Sequence, residues 1–226
     1  MNNKCISSFY ERRQANGYIQ NHINWCWAAV AKIVGLEYCL KHNLPIRSQQ
    51  TEEDVIRTDL RGLRLDICGR VRGYVTVDAM QFNIVEHARD PKNNPNGDLP
   101  EGDAAKERAL RYVISGSVDA SAPVVILAGH YQSKNDLLSY LPDYVEEAIF
   151  LGNSFIGNYR RTDGTYHSVV LSPTSGDRLK LYDPWDGFWE EFSTQQIFRS
   201  GFLNNQGPGV IQWIQYIRPG KREEMR

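Results

Sequence analysis

Cys26 is the residue around which chemistry can be built. It sits in the stretch Gln20-Asn21-His22-Ile23-Asn24-Trp25-Cys26-Trp27-Ala28-Ala29, where a run of helix formers begins. A thiol in the first turn of a helix lies at the positive end of the macrodipole, which favours the reactive thiolate. The backbone N–H groups at that end have no partner within the helix, and the one on Cys26 can hold an oxyanion. Gln20, six residues upstream, can supply a second donor from its side-chain amide. The plainer alternative is a buried helix cysteine packed by Trp25 and Trp27, since cysteine often serves as a small hydrophobe.

A thiol nucleophile needs a base, and the chain has five histidines. His22 lies in the motif loop, and His42 and His87 fall in or beside helices. His130 follows the strand-like run ending at Ala128 but has no carboxylate at a matching offset. His167 opens the strand-like run Tyr166 to Leu171, and Pro173-Thr174-Ser175-Gly176-Asp177 reads as a five-residue turn. Centring the hairpin on Ser175 makes His167 face Asp183, with Cβ atoms about 4.5–5.5 Å apart. An imidazole–carboxylate hydrogen bond is then within reach, and in the family arrangement described below it would be the Nδ1–H that the third group accepts, fixing the tautomer. In this register His167, Val169, Leu171, Leu179, Leu181 and Asp183 share one face. Ser168, Ser172, Arg178, Lys180 and Tyr182 share a mostly polar one with Val170. A one-residue slip would bury the charges and expose the leucines.

These groups must be held by helices first and strands second. Cys26 to Leu40 reads as a helix capped by Asn24, followed by a loop from His42 to Arg47 around Pro45. Thr51 followed by Glu52, Glu53 and Asp54 reads as a second helix start, running to about Leu60. A short third helix is expected after Thr76, through Asp78 to His87. Arg89 to Asp103 is rich in Pro, Asn and Gly and reads as a loop. Ala104 to Gly116 is an amphipathic helix. Pro123 to Ala128, Tyr166 to Leu171, Leu179 to Tyr182 and Val210 to Ile217 read as strands, with a helix from Asp143 to Leu151. The plan is one α+β domain spanning residues 1–226. It has a helical half at about 18–88, a connecting loop at about 89–103, and a sheet half at about 104–226.

A glutamine six residues before a Cys-Trp pair that opens a helix resembles the signature of the papain-like cysteine peptidases. The wording Asn-Trp-Cys-Trp-Ala-Ala is most similar to the compact bacterial branch, which includes the double-glycine leader peptidases and related effector proteases. His167 opening a strand and Asp183-Pro184-Trp185 in the next resemble the downstream half of that pattern. The resemblance implies a papain-like fold, its helical half packed on an antiparallel sheet half. It implies a Cys26–His167–Asp183 triad with Gln20 at the oxyanion, acting through a thioester. The substrate would be an extended peptide or protein with a small residue, often glycine, beside the cut. The same triad serves acyl transferases, deamidases and transglutaminases, and an inactive relative could serve as a binding module. All four expected positions are filled here, which weighs against inactivity.

Composition narrows the classes further. Net charge is −1, so no global field draws the chain to nucleic acid or an anionic membrane. Arg61, Arg64, Arg70 and Arg72 are interleaved with acids and read as a solvated face. There is no dinucleotide fingerprint, phosphate loop or zinc spacing, so no cofactor or metal is expected. No apolar run approaches the length of a membrane span, and Met1 to Gln20 lacks a signal-like apolar core. The chain is therefore read as cytoplasmic when made; export by a route without such a signal would leave no trace. Four cysteines are too few for a disulfide scaffold. Cys39 and Cys68 read as reduced thiols, with a bridge between them the alternative for an exported protein.

Overall fold

The computed structural model describes residues 19–20, 25–44, 56–59, 74–77, 81, 83–85, 103–115, 124–128, 134–161, 164–204 and 207–219. The expected Asn24 cap, the Thr51 helix start and nearly all of the Arg89–Asp103 loop lie outside them. So do His22, His87, His130, Cys68 and the four clustered arginines.

The dense apolar run after Trp25 forms helix α1 (Cys26–Lys41), and Trp25 occupies its N-cap position without a side-chain cap bond. Two short strands follow, β1 (Ile56–Asp59) and β2 (Tyr74–Val77), paired antiparallel with Ile56 opposite Val77. This corrects the helix expected to reach Leu60. Ile56, Thr58, Val75, Thr76 and Val77 are β-branched, stiff at χ1 and suited to a pleated pair. The short helix expected after Thr76 is represented by helical residues at 81 and 83–85, beyond the strand.

Helix α2 (Asp103–Ser115) begins within the expected loop. It packs chiefly on α1 and also touches β3. Ala109, Leu110, Val113 and Ile114 join the α1 core. Gly35 of α1 makes this approach possible. A Cβ built there would lie 2.5 Å from Val113 Cγ1. Gly35→Ala is expected to destabilise the fold by about 1–3 kcal/mol through overpacking. That outweighs a helix-propensity gain of about 1 kcal/mol. The midpoint of urea unfolding measures the net, and an unchanged or raised midpoint would show that the helices can part.

The remaining chain builds the main sheet. After β3 (Val124–Ala128) and helix α3 (Lys134–Leu151) come β4 (Phe155–Arg160), β5 (Tyr166–Pro173), β6 (Arg178–Asp183) and β7 (Phe188–Ser193). A π turn at Gln196–Ser200 leads to β8 (Phe202–Asn204), β9 (Gly207–Gly209) and β10 (Ile211–Arg218). The order is β3-β10-β4-β5-β6-β7, every pairing antiparallel, with β8–β9 a separate hairpin. The fold is α+β.

The central strands of the sheet are buried on both faces. Ile156, Val170, Tyr182 and Ile217 meet α1 and α2. Phe155, Tyr159, Val169, Leu171, Leu179, Leu181, Ile214 and Tyr216 meet α3, Ile197 and Phe202. The expected polar face of the His167 hairpin is therefore the bed of α1. Val170 and Tyr182 are covered there, and Arg178 and Lys180 reach solvent nearer the turn.

Candidate active site

α1 begins at Cys26 and lies across β5, so its first turn meets the start of that strand. His167 and the Ser168 backbone N–H lie near enough to the Cys26 thiol to favour its charged form. The residue as a whole remains partly exposed, while its thiol is buried against its neighbours.

His167 is 1 % exposed, and its Nε2 lies 2.7 Å from Asp183 Oδ1. This corrects the expected Nδ1 contact. With Nε2 committed to the carboxylate, Nδ1 is the nitrogen left for Cys26. The register is also corrected. Val170 pairs with Tyr182 and Leu171 with Leu181, so the hairpin centres on Gly176 and is shifted two residues from the expected pairing. A two-residue shift preserves the face, so His167 and Asp183 still share one and meet diagonally.

Asp183 ends β6 and is held from several sides. Oδ1 also accepts the Trp185 N–H at 2.8 Å, and Oδ2 accepts Asn204 Nδ2 at 2.9 Å. The following turn is closed by the Gly187 N–H donating to the Asp183 carbonyl at 2.9 Å. Gly187 has φ +77°, a conformation natural to glycine. A Cβ at Gly187 would also lie 2.8 Å from Ile19 Cδ1.

Ile19 and Gln20 are thereby held against the strand end that carries the carboxylate. The Gln20 N–H donates to the Pro184 carbonyl at 2.8 Å, and the Ile19 carbonyl accepts Gln81 Nε2 at 2.9 Å. The Gln20 side chain is fully buried. Cys26, His167 and Asp183 thus meet at the starts of α1 and β5 and the end of β6, and Gln20 is tied by its backbone just past that strand end.

Electrostatics favour a charged thiol–imidazole pair. Burial pushes the Cys26 thiol up, but the His167 bond and charge, the Ser168 N–H and the Lys106 charge together bring it below its ordinary value. Burial pulls His167 down, but the Asp183 charge and hydrogen bond, with Cys26, raise it to about 9. Both shifts favour thiolate and imidazolium side by side.

Two residues near the site escaped sequence reasoning. Lys106 is 3 % exposed, and its Nζ lies 5.8 Å from the centre of the Trp213 ring. That is cation–π range, which offsets part of the cost of burying an ammonium group. The spacing Lys106, Leu110, Val113 would have put it on the buried face. Asn204 lies in a three-residue strand with no sequence signal of its own.

Other candidates fall elsewhere. His42 follows the C-terminus of α1, about 24 Å from Cys26 by helix rise. It stacks on Tyr38 and contacts Asn153. Trp25 and Trp27 are core residues, whereas Trp185 is half-buried with Arg161 over its ring. Cys39 is a buried cysteine in the α1 core, and the bridge weighed for it involves Cys68, which lies outside the described residues. Among the described residues, no helix is long and apolar enough to cross a membrane, and no group of His, Cys, Asp and Glu is arranged for a metal ion.

Comparison with known proteins finds no matching family model, no matching curated protein and no matching solved structure.

Proposed function

We propose that the chain is a cysteine peptidase of papain-like architecture. The observation that carries this reading is the His167–Asp183 hydrogen bond buried beneath a part-exposed Cys26 at a helix start. The Cys26 thiolate attacks a peptide carbonyl carbon, and the C–O π electrons move to oxygen. The Cys26 N–H and the Gln20 amide stabilise that oxyanion. Nδ1 of His167 gives its proton to the departing amine, and the C–N bond breaks. The imidazole then takes a proton from water, which opens the thioester and releases the acid. Asp183 keeps the ring oriented throughout.

The test uses an epoxysuccinyl-type thiol inhibitor with intact mass and peptide mapping. Wild type is expected to take one label, at Cys26, and Cys26→Ala none there. Equal labelling of Cys5, Cys39 and Cys68, or no label at all, would show that Cys26 carries no special activation.

A further inference from the structure

We infer that Asn204, delivered by the β8–β9 hairpin, is a positioning residue for the Asp183 carboxylate and acts through it on His167. This rests on the peptidase reading of the site. A carboxylate can only accept, so the nitrogen of the Asn204 amide must be the atom 2.9 Å from Asp183 Oδ2. The same nitrogen lies 3.2 Å from the Tyr159 hydroxyl. Tyr159 stands edge-on to His167, with ring centres 5.6 Å apart, and edge-on to Phe202 at 5.2 Å. Phe202 and Asn204 are buried on either side of exposed Leu203, so one short strand supplies both the apolar anchor and the amide.

The consequence for chemistry lies in the carboxylate's second oxygen. His167 and the Trp185 N–H both use Oδ1. With Oδ2 held as well, the carboxylate plane is fixed and the negative charge stays aimed at the imidazole. Without Asn204 the carboxylate gains a rotational freedom, the imidazolium loses part of its partner, and the proton leaves His167 at lower pH.

Chloroacetate alkylation of Cys26, read by peptide mapping across pH, tests this without a substrate. The anionic reagent is drawn by the imidazolium, so its rate falls where His167 deprotonates. Wild type is expected to show that alkaline fall near pH 9. Asn204→Leu and Asn204→Ala should move it down by about one pH unit, an ordinary size for a lost charge-stabilising contact. Circular dichroism identifies which variants are folded, and the alanine variant avoids the overpacking that leucine risks. A folded variant whose alkaline limb stays at the wild-type position overturns the role, even if its unfolding midpoint drops. A wild type whose rate only rises with pH, as for a simple thiol, removes the peptidase reading, and the role of Asn204 with it.

Discussion

Alanine at His167 is expected to lower peptide hydrolysis by about 10⁴-fold, the upper end of what a positioned acid–base group contributes. Two losses combine. The leaving amine has no proton donor, and Cys26 loses its largest thiolate-favouring interaction. What remains at Cys26 is burial, which raises the thiol, opposed by the Ser168 N–H and the Lys106 charge. Mass-spectrometric rates on a mixed peptide library compare the variants directly. His42→Ala serves as the control, because His42 lies at the far end of α1 and should keep its rate within about twofold. A His167→Ala enzyme within about tenfold of wild type would remove His167 from the chemistry.

Asp183→Ala is expected to be the most destabilising change at the site, costing about 3–5 kcal/mol, the range for breaking a buried charged pair. Three donors converge on that carboxylate, from His167, Trp185 and Asn204, and all lose their acceptor. Asp183→Asn should cost less. Its amide oxygen still accepts from His167, although its nitrogen would face the Asn204 nitrogen.

The pH dependence gives a sharper readout. His167 is raised from an ordinary 6.5 to about 9 in the fold, so its protonation stabilises the folded state. That contribution is complete below pH 6.5 and fades as pH rises through about 9. Cys26 is shifted the other way, largely by His167, so both proteins are compared in a Cys26→Ala background. The stability gap between wild type and Asp183→Ala should therefore narrow from about pH 6 to pH 10. Urea unfolding at several pH values measures it, and a gap that widens with pH would contradict the pairing.

What could be read from sequence follows the strength of local signals. α1 was legible because its apolar run is long and begins abruptly at Trp25. The His167–Asp183 pair was legible through strand parity, which a two-residue error leaves intact. The tautomer was not, because ring orientation depends on what lies beyond the strand. The β1 strand was misread as helix because acids after Thr51 outweighed the β-branched residues that follow. β4, with Gly157 and Asn158 at its centre, looks like a turn until β5 and β10 flank it. β7 begins with exposed Phe188 and Trp189 and has no buried alternation to betray it. Pro142 disguised the first half of α3, which runs through that residue. Asn204 acts across a sequence gap of 21 residues, and no local pattern encodes such a contact.

The order of strands also sets when the surroundings of the Cys26 thiol are completed. β10 comes last in the chain yet lies between β3 and β4. While the ribosome is still making residues 211–218, those two strands have no partner to join them. Trp213, which carries the Lys106 cation, and the Asn204 hairpin also arrive late in synthesis. Closing such distant segments is slow compared with forming α1. A nascent chain therefore forms the helix that carries Cys26 well before all the groups that shift its thiol are in place.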